Sequence, residues 1–300
     1  MTKWDQQYYD LTKRILEEGV HQENRTGIDT IKIPSHYLHF DLSEEFPVLT
    51  TKQLFFRQAI LEMLWIYQVQ SNDVRWLQDR NVHIWDEWEV DENGYWNAIQ
   101  RVKREDGSFE KEPVHRYIGK EYAHTIGTAY GYIVSQLKLM DRLLDDLKNH
   151  PEDRRMVMSL WQDDYLKTAV LPSCVWSSEW DVTDGKLNAW VHQRSCDVPL
   201  GLPFNVTQYA VLLNLLAKVN HLEPGTLDWS IKNAHIYENQ IDGIREQMKR
   251  FEMNGGYEAP ELWLNPEIDD FYDFDHSKDC KDIKIKNYKH MGPIRFPLAQ

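Results

Sequence analysis

The sequence predicts an α/β (α+β) protein of one large domain or two small ones, with helices and strands interleaved along the chain. Three observations carry this. The 300 residues are 42% hydrophobic and 12% aromatic, enough to bury a large core. Hydrophobic periodicity switches repeatedly between the helical and the extended repeat. Asp184-Gly185 stands between two alternating runs, a strong signal for a two-residue hairpin, because both turn positions need positive φ. No internal repeat or low-complexity linker divides the chain.

Taken in order, residues 4–18 alternate apolar and charged positions like a helix, and "TIKIPSHYLHFDL" then alternates with period two, like a strand. Residues 53–69, "QLFFRQAILEMLWIYQV", form the most apolar helical stretch, expected to be buried on most sides. Residues 89–125 are charged, aromatic and glycine-containing without sustained periodicity, and read as a surface insertion or small subdomain. "IVSQLKLMDRLLDDLKN" predicts one amphipathic helix with Ile133, Leu137, Met140, Leu144 and Leu147 on its stripe, and "RRMVMSLW" a strand after it.

Composition narrows the function classes. The N-terminus has no apolar h-region and no apolar run is long enough to span a membrane, so a cytoplasmic protein is expected. Three cysteines without Cys-x-x-Cys or His-Glu-x-x-His spacing suggest reduced thiols and no metal site. A formal net charge of −14 disfavours a nucleic-acid partner. An anionic ligand would need a few placed arginines.

Cys174, in "AVLPSCVWSSEW", is either a small buried apolar residue or a nucleophile. If Thr183 faces Lys186 and pairing continues outward from the hairpin, Cys174 lies opposite Ser195, beside Gln193 and Arg194. A guanidinium there would raise the thiolate fraction, the form that attacks carbon. Strict alternation, however, turns Arg194 to the other face. A one-residue bulge or the strand's end must re-aim it. Glu62 falls at helical spacing with Phe55, Ala59, Trp65, Ile66 and Val69, so it is either a desolvated carboxyl of raised pKa or a rim glutamate paired to Arg57. Arg154-Arg155 reads equally as a solvated salt-bridge cluster, and Asn205 as the cap of a helix beginning near Val206.

"QRSCDVPLGLPFNVTQYAVL" resembles the signature segment of the thymidylate synthase family, and the resemblance covers nearly the whole chain. "NRTGIDT" is similar to its phosphate loop, "PVLTTKQ" and "EMLWI" to its glutamate helix, and "VHIWDEW" to its cofactor-facing segment. "PEDRR", "LPSC", "NAHIY" and "APELWLNPE" follow in the family's order. The resemblance implies a mixed twisted sheet packed with helices, a sheet-to-sheet homodimer, and methylation of deoxyuridylate (dUMP) at carbon 5 with 5,10-methylenetetrahydrofolate as co-substrate and no metal.

The same resemblance implies the site. Cys174 matches the nucleophile, with Glu62, Tyr130, Asp197 and Asn205 serving proton transfer and charge stabilisation. Arg25, Arg194 and Ser195 would hold the phosphate, with Arg154 and Arg155 reaching over from the second subunit. Gln193, Cys196, Asp197, His235, Ile236 and Tyr237 complete the nucleotide set. Phe55, Ile84, Trp85, Asp197, Leu200, Gly201, Phe204 and Ala299 match folate positions. An asparagine at position 205 offers one donor and one acceptor, which fits uracil, whereas cytosine-directed relatives carry aspartate there.

Some positions depart from the family's pattern. Val175 follows the nucleophile where histidine is usual, Glu179 replaces a glutamine and would add negative charge near the thiol, and Asn233 stands where aspartate is common. Phe55 replaces a polar residue, and the tail ends in Gln300 rather than an aliphatic residue. The alternatives carried with a thymidylate synthase are a hydroxymethylase on the same scaffold and a catalytically silent nucleotide-binding regulator.

Overall fold

The computed structural model describes residues 2–24, 26–104, 106 and 108–298. In chain order the helices are α1 (Lys3–Glu18), α2 (Phe56–Tyr67), α3 (Val74–Gln78), α4 (Gly131–Gln136), α5 (Leu139–Asn149), α6 (Gly201–Val219) and α7 (Ile241–Asn254). The strands are β1 (Val20–Gln22), β2 (Thr30–Asp41), β3 (Tyr95–Lys103), β4 (Phe109–Tyr117), β5 (Val157–Ser159) and β6 (Val175–Thr183). They continue with β7 (Lys186–Gln193), β8 (Cys196–Asp197), β9 (Glu223–Tyr237), β10 (Glu261–Leu264) and β11 (Ile283–Lys286).

A seven-stranded sheet runs β1-β2-β9-β7-β6-β5, with β8 added beside β9. It is mixed: β9 runs antiparallel to β2 and parallel to β7 and β8. One face is lined by Leu187, Ala189 and Val191 of β7 and by Leu227, Trp229 and Ile231 of β9, all buried. Against it lies α6, apolar almost all round with Leu202, Val206, Leu212, Leu213 and Leu216 fully buried, and α2 packs beside α6. The other face carries Tyr37, Trp190 and Trp176, all more than a third exposed. Between them run Glu179–His192 and His39–Asp228 contacts of 2.9 and 2.6 Å.

One expectation is corrected here. The helix drawn over residues 133–149 is broken at Lys138, whose φ of 49° is left-handed, so α4 and α5 are separate. The break moves Leu137 out to 39% exposure, and the buried stripe of α5 is Leu139, Met140, Leu143 and Leu147. Within residues 89–125, β3 and β4 pair over their full lengths as a hairpin apart from the main sheet. Its strand pattern is masked in the sequence because both faces of its outer part meet water, so no apolar alternation is required.

The hairpin of β6 and β7 pairs Thr183 with Lys186 across Asp184 and Gly185, as the sequence predicted, with φ of 51° and 73° at the two turn residues. Gly127 performs a different task. With φ of 70°, it pairs with Ala169 so closely that an added Cβ would stand 1.9 Å from the Thr168 carbonyl oxygen. Nothing lies within 4 Å of the same position on Gly185. Gly185→Ala is therefore expected to lower stability by about 1 kcal/mol through its φ alone. Gly127→Ala should cost more than about 2 kcal/mol, because backbone must also move. Urea midpoints of the two variants measured side by side check the order.

Candidate active site

Cys174 ends the loop that feeds β6, half-buried. The pairing of β6 with β7 shifts by one residue between Val175 and Ser177, so Trp176 is the extra residue of a bulge. Cys174 thereby faces Arg194 rather than Ser195, and the Arg194 amide N–H donates to the Cys174 carbonyl at 2.9 Å. The bulge supplies the re-aiming that strict alternation forbade. The Arg194 guanidinium donates from Nε to the Ser173 carbonyl (2.9 Å) and from an Nη to the Pro172 carbonyl (2.6 Å), and that same Nη lies 3.8 Å from Cys174 Sγ. Tyr130, held at a φ of 47°, accepts the Cys174 amide N–H on its hydroxyl at 3.1 Å.

Glu62 projects from α2 toward the thiol's cavity. Its carboxylate accepts Trp85 Nε1–H at 2.7 Å and the Gln208 side-chain amide. Arg57 instead binds the Arg80 carbonyl, so the rim pairing with Glu62 does not form. Burial raises the Glu62 pKa from an ordinary 4.5 to about 7, against the opposing pull of these two donors.

Gln208 is one member of a chain of amides. Trp229 Nε1 donates to Gln193 Oε1 at 3.0 Å, Gln193 Nε2 to Asn205 Oδ1 at 3.2 Å, and Asn205 Nδ2 to Gln208 Oε1 at 3.3 Å. Gln208 Nε2 then donates to Glu62. An indole N–H only donates, so the Trp229 end fixes every amide orientation down to the Glu62 oxygen that accepts from Gln208. Asn205 lies one turn inside α6, which starts at Gly201, so it is not that helix's cap.

Asp197 of β8 accepts the Leu200 N–H at 3.1 Å at the start of α6 and Gln240 Nε2 at 3.1 Å. Burial pushes its carboxyl up. His235 contacts the Asn233 carbonyl through Nδ1 at 3.0 Å, which leaves Nε2 free to face a ligand, and burial lowers its pKa.

These side chains surround two adjoining cavities of about 230 and 290 Å³ that share Cys174, Ser195, Asp197, Trp88, Leu171 and Leu298. Glu62, Trp85, Tyr130, Gln193, Leu200, Gly201 and Asn205 line the first. Arg194, His235 and Tyr237 line the second. Each volume is small for a ligand site, and the shared wall makes them two halves of one. Among the described residues no group of three or more His, Cys, Asp or Glu side chains could hold a metal, and no helix is long and apolar enough to cross a membrane.

A family model described as thymidylate synthase matches residues 6–300. This chain belongs to the thymidylate synthase family. The thymidylate synthase of Clostridium beijerinckii is 46% identical over 299 residues, and thymidylate synthase 1 of Bacillus subtilis (strain 168) is 38% identical over 318, with each chain covered completely. Among solved structures, the thermostable thymidylate synthase A from Bacillus subtilis superposes over the whole of both chains with a TM-score of 0.82 at 37% identity.

Not every residue suggested by the thymidylate synthase resemblance reaches the cavities. Cys196 and Ile236 are fully buried, and burial pushes the Cys196 thiol well up. Ile84 and Phe204 pack on the core, and Phe55 is 50% exposed. Glu179 points to the opposite sheet face, bonded to His192, so it adds no charge beside the thiol. Arg154 and Arg155 line a separate shallow recess with His150, Glu152 and Asp153, and Arg155 is held by its own Asp153 at 2.9 Å. Arg25, Ala299 and Gln300 lie outside the described residues.

Trp88, Leu171, Gln208 and Leu298 are wall or support residues that motif reading missed. Gln208 had a signal, its i+3 spacing from Asn205 on one helix. Glu62 also generates a pH dependence. Between about pH 4.5 and 7 the folded state keeps a proton the unfolded chain has released, so stability falls as pH rises, by about 3 kcal/mol in all. Glu62→Gln should remove this fall, and the difference between the two proteins' urea midpoints at about pH 5 and pH 8 measures it.

Proposed function

We propose that this chain reductively methylates deoxyuridylate to thymidylate, with Cys174 as the nucleophile on carbon 6. The observation that carries the reading is the meeting, around one cavity, of a thiol 3.8 Å from a guanidinium and a buried carboxyl at the end of an oriented amide chain. Addition of the Cys174 thiolate to carbon 6 pushes electrons to carbon 5 and onto the pyrimidine carbonyl. Asn205 has one hydrogen and one lone pair left after its bonds to Gln208 and Gln193, the complement of a uracil carbonyl and ring N–H. Glu62, poised near neutrality, serves proton transfer at that carbonyl.

Arg194, Ser195 and, by family likeness, Arg25 take the phosphate. His235 and Tyr237 take the sugar hydroxyl. The apolar wall of Trp85, Trp88, Leu200 and Leu298 beside the open Gly201 suits a flat folate ring. When bound, 5,10-methylenetetrahydrofolate supplies the one-carbon unit and the hydride. Leu298 reaches this wall because the Pro297 carbonyl accepts Gln240 Nε2 at 3.1 Å, which supports exclusion of water from the reacting carbon.

Arg154 and Arg155 act on a second subunit's phosphate. Support comes from their distance from the Cys174 cavity within one chain, and from the exposed aromatic sheet face beside them, which a second copy would cover.

Incubation with 5-fluorodeoxyuridylate and the folate should give a covalent adduct that Cys174→Ser abolishes and Cys196→Ser retains, read by intact mass. The reverse pattern would reassign the nucleophile. Dihydrofolate should appear mole for mole with nucleotide consumed; consumption without it, and a product carrying added oxygen, would mean hydroxymethylation. Mixed inactive Arg155→Ala and Cys174→Ser subunits should regain activity on exchange, and no recovery after verified exchange would mean a site built from one chain.

A further inference from the structure

Among the described residues, the hairpin of β3 and β4 lines neither cavity, yet its base grips two segments that do. Trp96 and Arg116 are cross-strand partners at that base, with the guanidinium 5.4 Å from the indole centroid. One Arg116 Nη donates to the Ala169 carbonyl and, at 3.0 Å, to the Val170 carbonyl. Trp96 Nε1 donates to the Glu87 carbonyl at 2.9 Å. Val90, Ile118 and Val170 form a small buried cluster beneath, packed by Trp88, Trp96 and Tyr122. Leu171, one residue past the first grip, and Trp88, one past the second, both wall the two cavities.

The nucleophile loop is therefore held by two guanidiniums. Arg116 takes the carbonyls of residues 169 and 170, and Arg194 those of 172 and 173. Arg194 has a competing task, since the nucleotide phosphate is its ligand in the proposed reaction. A guanidinium turning toward a phosphate gives up carbonyl bonds in exchange for stronger charge-assisted ones. Arg116 has no such competitor, because it lines neither cavity.

We infer that Arg116 is a positioning residue for the reaction: it fixes the Ala169–Val170 end of the loop so that Cys174 keeps its place when Arg194 engages the substrate. This rests on Cys174 being the nucleophile. One Nη bonds both carbonyls while the planar guanidinium lies over the Trp96 ring, and lysine's flexible ammonium lacks that flat, ring-supported hold. The insertion would thus serve the chemistry through its base.

The test follows the rate of covalent bond formation between the full-length enzyme and 5-fluorodeoxyuridylate with folate, alongside equilibrium binding of deoxyuridylate alone. Arg116→Ala should slow bond formation by about tenfold or more, as small misplacements of a reacting group do. Nucleotide affinity should change less than about threefold, since no phosphate or base ligand is removed. Arg116→Lys should recover little, and added guanidinium ion should restore part of the Arg116→Ala rate. An unchanged rate would overturn the inference, as would equal losses in rate and affinity without rescue by guanidinium, which would mark a merely structural residue. If Arg116→Ala does not fold, Arg116→Gln, which keeps one donor for the carbonyls, replaces it in the same comparison. Cys174→Ser is the control that separates the two readings: an adduct that survives it defeats the nucleophile assignment itself, whereas its loss beside a normal Arg116→Ala rate defeats only the role of Arg116.

Discussion

The site depends on one oriented line of hydrogen bonds, from the Trp229 indole through Gln193, Asn205 and Gln208 to Glu62. Four elements meet along it: β9, β7, α6 and α2. Each amide is polar and at least partly desolvated, so an error in any orientation would leave like atoms facing each other across the chain. The fold avoids this with an indole N–H that can only donate at one end and a Glu62 carboxyl oxygen that accepts at the other. The packing of α6 against both the sheet and α2 is what brings those ends within reach.

The same line explains how a carboxyl can remain inside an apolar stripe. Trp65, Leu61 and Ile66 of α2 are buried around Glu62, and ionisation there would be costly without donors. Trp85 and Gln208 provide two, enough to keep the pKa at about 7 rather than higher. The orientation of Asn205 and the poise of Glu62 are thus set by a single network.

Much of the fold was legible because its elements are strongly periodic. α1, β2, α2 and the β6–β7 hairpin each begin within a few residues of where pattern placed them. The break at Lys138 was not legible, because a helix that ends and restarts with Leu139 and Met140 inward preserves nearly the same apolar spacing. At the site, the family's motifs named most of the cavity wall. Periodicity alone left Glu62 undecided, since the rim and the buried readings share one pattern until Trp85 and Gln208 arrive from elsewhere in the chain. Arg116 was illegible for a related reason: its value lies in the Ala169 and Val170 carbonyls, which carry no side-chain signal.

The bulge at Trp176 divides one ribbon into two reading frames. Beyond it, from Ser177 to the turn, the strands alternate without a slip, and Glu179, Trp190 and His192 all look outward. Before it, the frame is displaced by one, and Arg194 comes to the thiol. Mutation in the outer stretch can therefore remodel the exposed face of the ribbon without disturbing the phase at Cys174. Lineages could vary the outward surface of this ribbon while the pairing of Cys174 with Arg194 stayed in step.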